Sequence, residues 1–266
     1  MDHSAIKSQL PAIVVSHVPR NSRGFKFRVY DDQPAFSTMG FRVDPKPFQG
    51  KVIAVTDEAI VIKVGRIDFA VVDRGLATVV PHDGAKVEVI PYARRRFDGM
   101  RLDTPEEETR YTGDGEAYTT RSIILGGATL KLPVPKAQCP QLADLIEQLE
   151  HLPAPDGLRG ITHLLVDAGA CDFETVDPAP ANIIKTPPAI AFTVSSAKFQ
   201  GRVTVLYERG PDLYAVELRQ HGELVKRTDD IGFESLGDVL DSLIDDGQWR
   251  RIRVDVLDGK SKRTLH

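Results

Sequence analysis

The sequence predicts an α+β protein, with a small antiparallel β-barrel or sandwich in front, a short helical middle, and a C-terminal antiparallel sheet carrying one packed helix. Three observations predict it. Short strand-like runs recur through residues 11–97, separated by turn-forming residues. Apolar residues between Pro140 and Ala168 follow the i, i+3, i+4, i+7 period of helices. Strand-like runs return after residue 190, interrupted by one further amphipathic stretch. The length of 266 residues fits about two domains of roughly 100–150 residues. A hydrophobic share of 41% with 27% charged residues excludes wholesale disorder.

In the front module, Ile13-Val14-Val15 and Phe25–Tyr30 read as strands, parted by Pro19, Asn21 and Gly24. Phe25, Phe27 and Val29 share one face of a period-two strand, with Lys26 and Arg28 on the other. Val52–Val55, Ala59–Val64, Ile67–Val72 and Lys86–Ile90 continue the series. Residues 98–120, with Asp98-Gly99, Thr104-Pro105 and Gly113-Asp114-Gly115, are polar and turn-rich and read as a linker. Ser122–Leu125 and Thr129–Leu132 suit a hairpin around Gly126-Gly127. One helix then runs from Pro140 to Leu152 and a second from Leu158 to Ala168, stopped by Gly169. Pro178, Pro180, Pro187 and Pro188 make residues 172–189 an extended connector. Ala191–Ser195, Arg202–Glu208, Leu213–Gln220 and Leu224–Thr228 read as a meander. A helix from Ser235 to Asp245 follows, with Ser235 and Asp238 resembling a capping box, and Trp249–Leu257 closes the unit as a last strand. The expected modules are therefore 1–97, a linker at 98–120, 121–189, 190–258, and a basic tail at 259–266.

Chemistry is harder to find. A net charge of −4 gives no global drive toward nucleic acid or anionic membrane. Cys139 and Cys171 are too few for a disulfide framework, no basic start precedes an apolar run, and no window is long enough to span a membrane. The expectation is a cytoplasmic protein without membrane insertion. The seven histidines form no zinc motif, and the glycine pairs form neither a P-loop nor a dinucleotide fingerprint, so no metal, cofactor or catalytic set is expected. Gly232-Phe233-Glu234-Ser235 misses the nucleophile elbow. Asp172 and Glu174, two residues apart, resemble the opening carboxylates of DnaQ-like exonucleases, an alternative reading as a two-metal nuclease. No later His-x4-Asp pair completes that pattern. A Phe-Gln-Gly-basic-Val echo joins Phe48–Val52 to Phe199–Val203, and is either a duplicated β module or two similar strand beginnings.

Local charge carries more. Tyr92-Ala93-Arg94-Arg95-Arg96-Phe97 sets three consecutive guanidiniums between two aromatic rings, and Trp249-Arg250-Arg251-Ile252-Arg253 leads toward Lys260, Lys262 and Arg263. Guanidinium recognises carboxylate and phosphate, and rings beside it stack on bases. Glu106-Glu107-Glu108 is placed to neutralise the first cluster, and charged strand edges also serve simply to prevent aggregation. Protein contact, nucleic-acid contact and a bland surface all stay open.

Residues 46–97 resemble the KfrB-type domain of plasmid and conjugative-element proteins. The stretches that carry the likeness are Lys46–Val55, Ala59–Arg66, Ala70–Arg74 and Pro81–Tyr92. Asp73 stands where the family pattern places a histidine, and Ala93-Arg94 follows Tyr92 in place of glycine. The resemblance implies a small SH3-like β-barrel in a plasmid-encoded protein of accessory role. It makes the leading expectation a non-enzymatic protein that contacts the machinery of conjugal transfer, as regulator or fertility inhibitor, or of plasmid maintenance. Arg66, Tyr92, Arg94, Arg95 and Arg96 are the expected partner surface. Trp249, Arg250, Arg251 and Arg253 are the expected nucleic-acid contacts under the alternative.

Overall fold

A computed structural model describes residues 1–122 and 129–257. The elements in chain order are α1 (His3–Val14), β1 (Lys26–Tyr30), β2 (Ala35–Phe36), β3 (Arg42–Val43), β4 (Phe48–Val55), β5 (Ala59–Lys63), β6 (Asp68–Asp73) and β7 (Lys86–Ile90). Next come β8 (Glu106–Tyr111), β9 (Ala117–Ser122), α2 (Pro140–His151), α3 (Ile161–Asp167), β10 (Cys171–Val176) and β11 (Ala189–Ser195). The series ends with β12 (Gln200–Glu208), β13 (Leu213–Gln220), β14 (Glu223–Ile231), α4 (Leu236–Ile244) and β15 (Arg253–Val256). The chain is mixed α+β and divides into two units: Met1–Ser37, Val43–Ala93 and the part from Trp249 onward, and Thr38–Arg42 with Arg94–Gln248.

The first unit is built on a six-stranded sheet in the order β1-β6-β5-β4-β7-β15, antiparallel except for the β1–β6 pair. Ala59–Ile62 and Phe69–Val72 are buried at every position, which is why they read as unbroken apolar runs and not as alternation. One face gathers Val52, Ile60, Ile62, Val72, Val87, Val89, Ile252 and Val254. The other gathers Val61, Phe69 and Val71 against Ile6, Leu10 and Val14 of α1. β4 pairs with β7 through Phe48–Lys51 and with β5 through Lys51–Val55, with a bulge between Val52 and Ala54. Gly50 sits at that handover. A Cβ there would stand 2.5 Å from Ile62 Cγ2 and 2.6 Å from the Lys63 carbonyl oxygen, closer than any side chain allows.

In the second unit an antiparallel sheet, β10-β11-β12-β13-β14, presents Ile190, Phe192, Val203, Val205, Val216 and Leu218 to the helices. Leu142, Leu145, Leu149, Ile161, Leu164, Leu165, Leu236, Leu240 and Ile244 complete one continuous core. Pro140 begins α2, and the Asp177 carboxylate accepts from the Gln138 and Cys139 backbone N–H groups, both at 2.8 Å, just ahead of the helix. Gly201 plays on β12 the part Gly50 plays on β4. A Cβ there would collide with the Arg219 carbonyl oxygen of β13.

The structure corrects the sequence reading at several elements. Ile13-Val14-Val15 is not a strand: α1 runs to Val14 with Pro11 inside it, and Asp2 caps it through the Ser4 and Ala5 N–H groups. Residues 98–120 are more than a linker, since β8 and β9 form a hairpin within the second unit. The connector at 172–189 begins with β10, an edge strand paired with β11. The second helix is shorter than read, starting at Ile161. Ser235 makes no side-chain capping bond, so the capping box is absent. The largest correction is at the end of the chain. β15 does not close the meander; it pairs with β7, Arg253 opposite Ile90, and belongs to the first unit. The helical middle and the meander share one core, so 121–189 and 190–258 are not separate modules. Among the described residues, the six strands of the first unit's main sheet form a sheet with two ends and no closed barrel. Most of the hairpin expected at Ser122–Leu132, at 123–128, and the basic tail with Lys260, Lys262 and Arg263 lie outside the described residues.

Candidate functional site

The two arginine-aromatic clusters meet in part. Tyr92, just beyond β7, and Trp249, just before β15, are brought together because those two strands are antiparallel neighbours. Their rings stand edge to face with centroids 5.0 Å apart and planes at 63°. The Arg250 guanidinium lies over the Trp249 ring, 5.1 Å from its centroid. Arg250 is exposed and both rings are half-buried, so the stack forms an aromatic and cationic feature on the first unit.

The other expected site residues have different fates. Arg251 donates to the carbonyl oxygens of Gly75 at 3.3 Å and Ala77 at 3.0 Å, fastening the β15 segment to the loop after β6. Arg253 is exposed and paired along its own strand with Asp255 at 2.9 Å. Arg66 donates to the Asn21 side-chain oxygen at 3.1 Å and stands apart from the stack in sequence and in partners. Arg94 to Arg96 fall in the second unit. Arg95 donates to the Gly99 carbonyl at 2.8 Å, and Arg96 is ion-paired with Glu106 at 2.5 Å, the neutralisation that the acidic run foreshadowed. Arg94 is only 6% exposed, which corrects its expected place on an open surface. It lines a cavity of about 210 Å³ with Glu150, Thr162 and His163, where Glu150 accepts the Leu132 N–H at 2.8 Å.

Asp172 and Glu174 do not present a shared carboxylate face. A bulge separates them, Asp172 has φ +52°, and Arg202 donates to the Asp172 carbonyl at 2.7 Å while pairing with the Glu174 carboxylate at 2.5 Å. Among the described residues no group of three or more His, Cys, Asp or Glu side chains is arranged to hold a metal ion. Cys139 is a buried free thiol and Cys171 an exposed one.

Sequence reasoning missed a buried charged cluster. Arg159, in the loop before α3, has a fully buried side chain and donates to Asp156 and Asp167 at 2.8 Å and to Asp245 at 2.5 Å. Burial opposes its charge, but the hydrogen bonds it donates to the three carboxylates outweigh that and raise its pKa. Asp241 is pushed up, first by burial and then by its neighbour Asp245. Burial would also raise Asp245, but the Gly247 N–H and Arg159 hold it below the usual carboxylate range. The open face of the second sheet carries a similar network, with Arg227 paired to Glu208, Glu217 and Asp229. These groups satisfy one another and form a structural lattice. Comparison with protein-family models, with curated proteins and with solved structures returned no match.

Proposed function

We propose that this chain is a non-enzymatic accessory protein of a mobile element, working in the cytoplasm through protein–protein contacts with the conjugal-transfer or plasmid-maintenance machinery. The observation that carries the contact surface is the Tyr92–Trp249–Arg250 stack. Trp, Tyr and Arg are the side chains that concentrate binding energy at interfaces, and here they pack on one another beside β15, an end strand of the sheet. The bent β4 and the core it encloses with β5, β6 and β7 support reading residues 46–97 as an SH3-like module of the KfrB type. No described helix is long and apolar enough to cross a membrane.

Donor cells expressing the chain are expected to change in transfer frequency or plasmid retention, and pull-downs from them to recover a transfer or maintenance component. Trp249→Ala with Arg250→Glu should abolish both while leaving the circular dichroism spectrum intact. Unchanged transfer and retention with no such component recovered would overturn the reading.

The alternative, nucleic-acid binding, is favoured by the exposed Arg250 lying on an indole. It requires duplex or single-strand affinity that falls steeply with salt and is lost in Arg250→Glu. Affinity that is undetectable at low salt removes it.

A further inference from the structure

The end of α1 and the loop after it leave a groove of about 470 Å³ in the first unit. Its walls are Pro11, Val14, Val15, Val18, Pro19 and Phe25, and Val15 is 69% exposed. Two arginines, Arg20 and Arg23, line the same groove and are exposed. Neither guanidinium has an ion pair or hydrogen bond among the described residues. That sets them apart from Arg96, Arg159, Arg202 and Arg227, each committed to a carboxylate of its own chain.

Beside the groove, β1 starts at Lys26, the residue after Phe25, and is the opposite end strand of the six-stranded sheet, paired with β6 alone. The Lys26 N–H bonds the Ile67 carbonyl at 2.8 Å, so strand alternation turns the N–H and C=O groups of Phe27 and Val29 away from the sheet. Lys26 and Arg28 add two exposed cations to this edge, while Asp68 lies opposite Lys26 in the register.

We propose that the α1–β1 groove and the β1 edge form a docking site for an acidic segment of a partner protein, whose aliphatic side chains fill the groove while its backbone adds a strand to β1. Three features converge on this occupant. The unpaired guanidiniums call for carboxylates. The aliphatic walls call for branched apolar side chains. The open edge calls for another backbone. A nucleic acid would answer the cations but leave the valine and proline walls unfilled, and a small amphiphile would leave the strand edge unused. This site uses none of Tyr92, Trp249 or Arg250, so it stands or falls separately from the surface proposed above.

The test is fluorescence anisotropy with the full chain and a short labelled peptide alternating Asp or Glu with Leu or Val. The expected result is saturable binding, weakened about tenfold or more by Arg20→Glu with Arg23→Glu. Val15→Asp should weaken it as well. A peptide N-methylated at every residue keeps its charges and side chains but cannot donate to β1 from either edge, and should not bind. The counterpart with Lys in place of the acidic residues should not bind either. No binding by the acidic peptide overturns the proposal. So does binding indifferent to the two arginines, equal binding of the N-methylated or lysine peptide, or displacement by a duplex oligonucleotide at lower concentration than by unlabelled peptide. Circular dichroism melts of each variant check that lost binding is not lost folding.

Discussion

Arg159 in the second unit is wholly buried among four carboxylates, whereas Arg20 and Arg23 in the first unit stand exposed without an ion pair among the described residues. The same side chain is used for opposite ends. Charges whose hydrogen bonds are spent inside a unit hold loops and helix ends together, while cations left unspent beside an apolar groove are available to another molecule. Composition alone hides this, because a near-balanced total of 34 Lys+Arg and 38 Asp+Glu averages the two regimes.

The contrast is most severely tested at Arg159. Arg159→Met leaves Asp156, Asp167 and Asp245 without their counter-charge and should cost about 3–5 kcal/mol. The protein's one tryptophan, Trp249, lies in the first unit, so its fluorescence reports that unit, while circular dichroism follows the sheet and helices of the second as well. A urea transition that moves by less than about 1 kcal/mol would mean the buried charges are not structural.

Gly201→Ala should cost about 1–3 kcal/mol, because the new methyl meets a carbonyl oxygen of the neighbouring strand and the backbone must shift. Gly50→Ala should have a comparable effect, seen first in tryptophan fluorescence. Equal stability in either variant would show that the sheet relaxes without strain.

Acidification should weaken the second unit more than the first. Asp245 and Glu217 are held below the usual carboxylate range; for Glu217, burial alone would raise the pKa but the bonds from Arg219 and Arg227 prevail. Groups lowered in the folded state contribute fully above their unfolded pKa, and that contribution drains away as the pH falls through the folded one, which lies below the ordinary carboxylate range of about 4. Asp241, raised in the folded state, runs the other way and offsets part of the loss. Melting temperature against pH checks the sign. The smallest effect is expected from Arg20→Glu with Arg23→Glu, whose stability should stay within about 0.5 kcal/mol of the parent while peptide binding is lost.

How much of this was legible depended on the distance over which each element is decided. α2 and α4 show their 3.6 period plainly, and the meander strands β11 to β14 alternate or run apolar between clear turns, so local pattern sufficed. α1 was hidden because Pro11 and the β-branched Ile13-Val14-Val15 read as helix breakers, while burial of Ile6, Leu10 and Val14 against the sheet outweighs that local preference. β8 and β9 were hidden by their exposure: Glu106–Tyr111 is exposed at every position and offers no apolar face to detect. The partner of β15 lies more than 160 residues back at β7, and no local pattern reports that pairing. The candidate site followed the same rule. The Tyr92 and Trp249 clusters were visible as sequence, but their meeting was not. The carboxylates around Arg159 come from positions 156, 167 and 245, which only the fold assembles.

The pairing of β7 with β15 also bears on how the chain is made. Residues 94–248 leave and return between two adjacent strands, so the second unit is complete before the last strand of the first unit exists. On the ribosome, the β7 edge of the first sheet cannot take this partner until Arg253–Val256 have emerged. The order of maturation is therefore the reverse of the order of sequence: the unit that starts first finishes last, and the β7 strand edge lacks this partner for the whole interval.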